Sequence, residues 1–267
     1  ELLILINTNK KVKKKLFQVN FRTSGTKVLA SLIYHKQLDE EWKNEALIIQ
    51  NSLSNVSIIG RSKKTKVLIG NENLEITYKI NESSFKILQN DLVFFQPNIY
   101  LYPLMISFIT DHLKKPKDLL ELYCGCGSFT LILASRFNKI FATENNRHSI
   151  RLLKESIKLN NITNIEIARL SDNETASALA KERPFRRLEN IELDSYDFSH
   201  ILVDPPRAGL SDKTINLSRQ FENMIYISCN PETFIRDLKK LDREIKSIAV
   251  FDQFANTKHL EVIAILG

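Results

Sequence analysis

The sequence predicts an α/β protein with a Rossmann-like, mostly parallel sheet of seven strands, and a smaller α+β region in front of it. Two observations carry this prediction. From about residue 99 onward, short apolar runs of strand length alternate with segments of helical periodicity, a pattern typical of a parallel sheet covered by helices on both faces. A glycine turn follows the first of these runs, as in nucleotide-binding α/β domains.

The front of the chain has the pattern of a small α+β domain. Residues 15–34 alternate between apolar and polar side chains around Ser24-Gly25, which indicates a β-hairpin. A helix is predicted at 39–52, with acidic residues in its first turn. Further short strands are predicted at 56–59, 66–69 and 74–80. We therefore predict a first domain over residues 1–92 and a second over 93–267.

The second domain opens with a helix and continues as the alternating pattern. Asn98 is predicted to cap a helix that runs to about Leu113, with a buried stripe of Leu101, Leu104, Met105 and Phe108. A longer helix is predicted at 147–160. The seven strands are predicted at 119–123, 140–144, 164–170, 200–203, 224–228, 247–251 and 261–266.

The composition excludes several classes of protein. No apolar run approaches the roughly 18 residues of a membrane helix, and the opening run at 2–6 is too short for a secretory signal. Three cysteines, at 124, 126 and 229, do not make a disulfide framework, so we expect a reducing, cytoplasmic setting. Nor can they supply four ligands to a zinc or iron–sulfur site, so no metal is expected. The chain begins at Glu1, and we expect its true N-terminus to be missing.

The net positive charge of the chain comes entirely from its first quarter. Residues 1–70 hold 13 Lys and Arg against 5 Asp and Glu, whereas the remainder holds 25 against 26. The excess lies in two runs, at 10–15 and 61–66. A solvated lysine face is the plain explanation of one such run, but confinement to one region favours a phosphate backbone as partner. Lys63, Lys64 and Lys66 are the candidate RNA contacts.

The glycine turn predicts the class of cofactor. It has the form E-x-x-x-G-x-G, with Glu121, Gly125 and Gly127, which is the form seen in methyltransferases that use S-adenosylmethionine (SAM). It lacks both G-x-G-x-x-G and the P-loop Gly-Lys-Ser/Thr. Glu144 ends the next predicted strand, where a carboxylate can accept both ribose hydroxyls of an adenosine.

Two further motifs follow predicted strands. Val203-Asp-Pro-Pro-Arg207 holds Asp204 at the rim of the sheet, because the prolines force an extended exit. Ser228-Cys-Asn-Pro231 ends another strand directly after Cys229. A lone cysteine is more often inert packing than a nucleophile, but ligands of such sheets bind at the carboxyl ends of the strands. We therefore expect the sulfur to face the ligand cleft.

Taken together, five ordered motifs resemble the RNA uracil-5-methyltransferase family, and most closely its tRNA members, which form ribothymidine at position 54 in the T-loop. The motifs are Phe95-Gln-Pro-Asn98, Leu119-Leu-Glu-Leu-Tyr-Cys-Gly125, Val203-Asp-Pro-Pro-Arg207, Ser228-Cys-Asn-Pro-Glu-Thr233 and Asp252-Gln-Phe with His259-Leu-Glu261. The similarity extends into the front domain, through Leu16-Phe-Gln18, Tyr34-His-Lys36 and Asp39-Glu-Glu-Trp42.

The resemblance implies a role for each candidate residue. It makes Cys229 the nucleophile that adds to uracil C6, and Glu261 the acceptor of the C5 proton. It places SAM against Gln96, Tyr123, Gly125, Ser128, Glu144 and Asp204. Ser128 and Cys126 stand where the family usually has Asn. The partner implied is the T-arm of tRNA, bound by the front domain and by Arg207, and the expected protein is a monomer.

Three alternatives stay open at this stage. A ribosomal-RNA uracil-5-methyltransferase is disfavoured because the chain has no cysteines for the iron–sulfur cluster that such enzymes typically carry. An amino-group methyltransferase is disfavoured because Arg207 stands where those enzymes place an aromatic residue. A non-catalytic RNA-binding protein with a SAM fold would have no reason to hold both Cys229 and Glu261.

Overall fold

The computed structural model describes residues 1–63, 65–80, 82–96, 98–254, 256–257 and 259–267. The chain divides into two compact units. Unit 1 comprises Glu1–Thr77 and Leu88–Val93, and unit 2 comprises Tyr78–Ile87 and Phe94–Gly267. Residues 78–87, which lie between the two parts of unit 1 in the sequence, therefore belong to unit 2.

Unit 1 contains a four-stranded sheet in the order β1-β2-β3-β4. The strands β1 and β2 form the predicted antiparallel hairpin, whereas β2 and β3 run parallel and are joined by a helix, α3. The elements are α1 (Leu2–Thr8), α2 (Lys10–Lys13), β1 (Leu16–Thr23), β2 (Val28–Tyr34), α3 (Glu40–Asn51), β3 (Val56–Ser62) and β4 (Thr65–Ile69).

The core of unit 1 forms where α3 packs on the sheet. The Asp39 carboxylate caps the helix by accepting the N–H of Trp42 at 2.8 Å. Trp42 is fully buried, and it lies so close to β3 that a Cβ at Gly60 would stand 2.3 Å from its ring. The returning segment is held by Asp91, which pairs with Arg61 and accepts the Ser31 hydroxyl.

Unit 2 is built on the predicted sheet of seven strands, in the order β12-β13-β11-β10-β7-β8-β9. Its helices and strands are α4 (Tyr102–Asp111), β7 (Asp118–Leu122), α5 (Ser128–Leu133), β8 (Lys139–Thr143), α6 (Arg147–Leu159), β9 (Ile165–Ala168), α7 (Asp172–Leu179), β10 (Phe198–Val203), α8 (Asp212–Ser218), β11 (Asn223–Ser228), α9 (Pro231–Leu241), β12 (Ile245–Phe251) and β13 (Glu261–Leu266). The strands from β11 to β9 are parallel, and β13 lies antiparallel between β11 and β12. The predicted fold class is confirmed.

The order of the strands determines where a ligand can bind at the edge of the sheet formed by the carboxyl ends of the parallel strands. The chain starts the sheet at β7, moves outward to β8 and β9, and then returns to β10 on the other side of β7. In such sheets the helices connected to β7 and β10 diverge, which opens a crevice at the carboxyl ends of these two strands. The residues that follow β7, β8, β10 and β11 all meet at this edge.

The predicted start of α4 is wrong. The side-chain oxygen of Asn98 accepts the N–H groups of Tyr100 and Leu101, which lie in a turn before the helix. The helix begins at Tyr102 and has Pro103 within its first two positions, where a missing N–H costs nothing. Its buried face is therefore Tyr102, Met105, Ile106 and Ile109, and Leu104 is 57% exposed.

Three elements of the structure, α1, α2 and β6 (Ser83–Gln89), are not predicted from the sequence. The apolar opening of the chain forms α1, and the lysine run after it forms α2, whose first N–H groups are capped by Asn9. The strand β6 pairs with β5 (Leu74–Ile80) in a sheet of two. Within the described part of the chain, no helix combines the length and apolar character needed to cross a bilayer.

Candidate functional site

The glycine turn after β7 has left-handed backbone at three positions. Tyr123, Gly125 and Gly127 have φ values of +60°, +55° and +92°. A Cβ added to Gly125 would meet no atom within 4 Å, so this glycine faces open space. A Cβ at Gly127 would stand 2.3 Å from Leu153, so that glycine allows close packing. The two glycines thus have different tasks.

Glu144 joins the turn to the neighbouring strand. One carboxylate oxygen accepts the backbone N–H of Gly125 at 3.1 Å, and the other accepts the N–H of Asn146 at 2.6 Å. These bonds aim the carboxylate of Glu144 across the end of β8, at the mouth of the glycine turn.

A cavity of about 510 Å³ lies at this edge of the sheet. Nine of the twelve candidate residues line it, and all nine belong to unit 2. They are Gln96, Tyr123, Gly125, Ser128, Glu144, Asp204, Arg207, Cys229 and Glu261. The structure therefore brings together every candidate for catalysis and for cofactor binding.

Gln96 reaches the cavity because a second amide holds it there. It is 3% exposed, and its side-chain oxygen accepts a hydrogen bond from the Gln253 amide at 3.1 Å. Gln253 belongs to the segment between β12 and β13. Ser128, at the start of α5, has its carbonyl bonded by the Tyr102 hydroxyl, which anchors the turn to α4.

Three carboxyl groups, those of Glu121, Asp204 and Glu261, line the cavity. Burial raises the pKa of Asp204 to about 7. Burial, reinforced by the Asp204 carboxylate, raises the pKa of both Glu121 and Glu261 to about 8. Among the described residues, the buried Glu121 Oε2 has no partner of ordinary hydrogen-bond geometry, although Thr130 lies near enough to this carboxyl to oppose the rise in its pKa. Such a group is suited to a cation or a hydrogen-bond donor supplied by a ligand.

Cys229 is half-buried at the end of β11, directly before α9. Burial raises the pKa of its thiol, and the carboxylates of Glu261 and Asp204 raise it further. The positive charge of Arg207, which lines the same cavity, opposes this rise in the thiol pKa. Arg207 is thus the positive group that favours the thiolate.

The backbone of Arg207 is tied to the cysteine segment. Its carbonyl accepts the side-chain amide of Asn230 at 3.0 Å and the hydroxyl of Thr233 at 3.2 Å. The Asp-Pro-Pro-Arg segment and the Cys-Asn-Pro segment are therefore one hydrogen-bonded unit, although α8 and β11 separate them in the chain.

The remaining candidates belong to unit 1. Lys63 is exposed and lines a surface pocket of about 590 Å³ together with His35 and Lys36. Lys66 pairs with Glu72 at 2.6 Å, so part of its charge is compensated. Lys64 lies outside the described residues. The Phe17 ring is 64% exposed and packs edge-on against the ring of His35, with centroids 4.5 Å apart.

Two features of these sites are not evident from sequence reasoning. The turn motif contains Glu121, but the motif alone does not show that an unsatisfied oxygen of this residue lines the cavity. The alternating pattern predicts Phe17 in a hairpin, and it does not show that the ring is exposed. An aromatic residue on a hairpin that directly follows a lysine run is the signal that could have suggested a role in binding.

Comparison with known proteins identifies the family. The model of the tRNA (uracil-5-)-methyltransferase family matches residues 1–267. A tRNA/tmRNA (uracil-C(5))-methyltransferase of Teredinibacter turnerae is 45% identical over 271 residues, which cover 100% of this chain and 74% of that protein. The protein of the same name from Aliarcobacter butzleri is 45% identical over 94% of this chain and 68% of its own length.

Solved structures agree with this result. The crystal structure of Pyrococcus abyssi tRNA (uracil-54, C5)-methyltransferase in complex with S-adenosyl-L-homocysteine has a TM-score of 0.75 and 25% identity, and covers 100% of this chain and 64% of that one. The M. jannaschii tRNA m1G37 methyltransferase, with a TM-score of 0.55, 17% identity and coverage of 96% and 76%, shares the fold. The chain belongs to the tRNA (uracil-5-)-methyltransferase family, which confirms the resemblance seen in the sequence and the prediction of a methyltransferase.

Proposed function

We propose that the protein methylates C5 of uridine 54 in the T-loop of tRNA, with SAM as methyl donor and through a covalent bond between Cys229 and uracil C6. One observation carries this proposal. A single cavity is lined by a cysteine next to an arginine, by a carboxyl group with a pKa near 8, and by a glycine turn of the SAM type.

The residues of the cavity fit SAM. Gly125 leaves space that any side chain would fill, and Glu121 presents a buried carboxylate oxygen without a partner. Glu144 would bind the ribose hydroxyls, while Glu121 and Asp204 would face the positively charged methionine end, where a cation favours their ionised form. Gln96, Tyr123 and Ser128 would complete the walls.

The chemistry requires a nucleophile because uracil C5 is too weakly nucleophilic to accept a methyl group directly. The Cys229 sulfur adds to C6, and the electron pair of the C5–C6 bond moves to give an enolate that is nucleophilic at C5. When bound, SAM would supply the methyl group, which moves to C5 while the cofactor sulfur keeps the electron pair of the broken bond and becomes a neutral thioether. Glu261 then removes the C5 proton, the C6–sulfur bond breaks, and the ring and the thiolate are restored.

The raised pKa of Glu261 suits its task, whereas the raised pKa of the Cys229 thiol has to be offset before the sulfur can attack. Glu261 must be ionised to accept a proton, and a pKa raised to about 8 makes it a stronger base than an ordinary carboxylate. Cys229 must lose its proton before it attacks, and Arg207 is the group that offsets part of the rise in its thiol pKa. Arg207 therefore belongs to the catalytic site rather than only to the RNA surface.

Unit 1 offers a surface suited to RNA. The exposed ring of Phe17 and the imidazole of His35 can stack on unpaired bases, and Lys36 and Lys63 flank them with positive charge. Extracting a base from a folded loop costs a few kcal/mol, which such contacts can offset. From this substrate we infer a cytoplasmic protein, and we propose that it acts as a monomer.

Nucleoside mass spectrometry of an unmodified tRNA transcript, incubated with protein and SAM, tests the proposal. We expect 5-methyluridine in the T-loop fragment, and none in a transcript with cytidine at position 54. Methylation of a ribosomal-RNA fragment in place of tRNA would support the alternative of a ribosomal-RNA uracil-5-methyltransferase, and no methylation of any RNA would refute the proposal.

A further inference from the structure

The helix α9 contacts both the Asp-Pro-Pro-Arg segment and the Cys-Asn-Pro segment, which are hydrogen-bonded to each other beside Cys229. The helix α9 starts immediately after Cys229 and Asn230, and Asn230 caps it by accepting the N–H of Glu232 at 3.1 Å. Asn230 and Thr233, at its start, bind the carbonyl of Arg207. The next turns of the same helix continue this contact along the Pro-Pro-Arg-Ala-Gly-Leu segment.

Asp237 is the centre of that contact. It has no exposed surface, and its Oδ2 accepts both the backbone N–H of Leu210 and the hydroxyl of Tyr226, each at 2.7 Å. Its Oδ1 accepts the guanidinium of Arg236 at 2.6 and 2.8 Å. Arg236 also donates to the carbonyl of Ala208 at 2.8 Å. A buried carboxylate with both oxygens doubly hydrogen-bonded gives a rigid anchor.

Gly209 shows how closely the segment lies on the helix. Its φ is +76°, and a Cβ added there would stand 2.4 Å from Asp237 Oδ2, 2.5 Å from Arg236 Nη2 and 3.1 Å from Thr233 Cβ. No side chain fits between the segment and α9. The segment that contains Arg207 is thus held at both ends. Asp204 follows directly after β10, and the backbone N–H of Leu210 is hydrogen-bonded to Asp237.

We propose that Asp237 is a positioning residue, which holds the Ala208–Leu210 segment on α9 and thereby keeps Arg207 beside Cys229 in the cavity that both residues line. The charged groups around that sulfur are Arg207, Glu261 and Asp204. Because the two carboxylates oppose ionisation of the thiol, its reactivity depends on the placement of the one guanidinium. The effect on methylation rests on the proposed function, but the effect on the thiol does not.

The test is the pH dependence of Cys229 alkylation by iodoacetamide, followed by peptide mass spectrometry without RNA or SAM. Arg207→Ala should move the alkylation midpoint upward by about one pH unit, which makes alkylation near neutral pH about tenfold slower. Asp237→Ala should cause a similar shift. If Asp237 acts through Arg207, the double variant should show no more than the larger single effect.

Three variants separate positioning from general loss of stability. Asp237→Asn keeps an oxygen for Leu210 and should restore most of the wild-type profile. Tyr226→Phe removes the other bond to the same oxygen, and should lower the melting temperature without moving the midpoint. Gly209→Ala pushes the segment off the helix and should reproduce the Asp237→Ala shift, even if Asp237→Ala itself does not fold.

Two results would overturn the proposal: a wild-type alkylation profile in folded Asp237→Ala or Gly209→Ala, or shifts from Arg207→Ala and Asp237→Ala that add in the double variant. If the wild-type protein methylates no RNA while the alkylation shifts appear as expected, the proposed function fails and the positioning role stands. If both hold, Asp237→Ala should lower kcat by at least about tenfold with SAM affinity unchanged.

Discussion

The carboxylate of Glu144 accepts the backbone N–H of Gly125 at 3.1 Å. Glu144, which follows β8, and Gly125, which lies 19 residues earlier and follows β7, therefore line the same side of the cavity. The bond leaves the Cα of Gly125 facing the cavity, which makes this glycine and Gly127 a matched pair for testing where the cofactor lies.

Gly125→Ala should weaken SAM binding far more than it weakens the fold. The new methyl group would enter the cavity, and the left-handed backbone adds only about 1 kcal/mol of strain. Gly127→Ala should destabilise the protein by a further ~1–3 kcal/mol, because its Cβ would collide with Leu153. Calorimetric titration with SAM and thermal denaturation of both variants measure the two effects. Unchanged SAM affinity in Gly125→Ala would place the cofactor elsewhere.

Glu121→Gln should stabilise the protein at pH 8 and weaken SAM binding. Burial raises the pKa of Glu121 to about 8, so the unfolded chain loses this proton near the ordinary value of about 4.5, before the folded chain does. Wild-type stability therefore falls relative to the variant as pH rises between these values, by an amount on the order of 2–4 kcal/mol. Denaturant unfolding at pH 5 and pH 8 checks this. A difference that does not grow with pH would contradict the raised pKa.

The affinity of the same variant for SAM should fall about tenfold, since an amide cannot offer a negative charge to the methionine end. Equal SAM affinity in the variant and the wild type would show that Glu121 serves the fold alone.

The strands of unit 2 could be predicted because their signals are local. Each is a short apolar run, and Glu144, Asp204 and Cys229 directly follow their strands, so the topology of a parallel sheet brings them together. Glu121 lies within a strand and has the local pattern of any buried position in it. Only the packing around it shows that one of its oxygens lacks a partner.

Other features depend on distant parts of the chain or have only weak local signals. Asp237 is one polar residue in an amphipathic helix, and its task follows from the close approach of Gly209, which lies before α8. The start of α4 is missed for a local reason, because a turn that includes Tyr100 and Leu101 lies between Asn98 and the helix. The strand β6 has a weak alternation because only part of it is buried. Only the approach of Gly209 to Asp237 is a relation that no short window of sequence contains.

Phe17→Ala should weaken tRNA binding without changing SAM affinity. The ring is exposed and supports no core, so its removal deletes a stacking surface worth about 1–3 kcal/mol per base. Filter binding or fluorescence anisotropy with a T-arm hairpin measures the effect. Phe21→Ala, another exposed ring on β1, is the control. Equal weakening in both variants would indicate a non-specific apolar interaction.

Lys63→Ala should also weaken tRNA binding, but in a way that depends on salt. If Lys63 neutralises one phosphate, its removal should reduce the slope of log affinity against log salt by somewhat less than one. Lys66→Ala should have the smaller effect, since Lys66 already pairs with Glu72. If neither slope changes, this part of the basic run is only a solvated face.

Glu261→Gln should stop the reaction after methyl transfer. The variant keeps the nucleophile and the cofactor site, but its amide cannot take the C5 proton. A protein–RNA species that carries the methyl group should accumulate, and it should appear as a slow band on a denaturing gel with methyl-labelled SAM. Near-normal turnover would show that Glu261 has no catalytic role and is simply the first residue of β13.

The central claim is that Cys229 bonds to uracil C6, and digestion of the stalled Glu261→Gln complex tests it most directly. Ribonuclease and protease treatment, followed by mass spectrometry, should yield a methylated uridine nucleotide attached to the peptide that contains Cys229. The double variant with Cys229→Ala should give neither adduct nor 5-methyluridine, while it still binds SAM. An adduct on another residue, or methylation by a Cys229→Ala protein, would contradict the account.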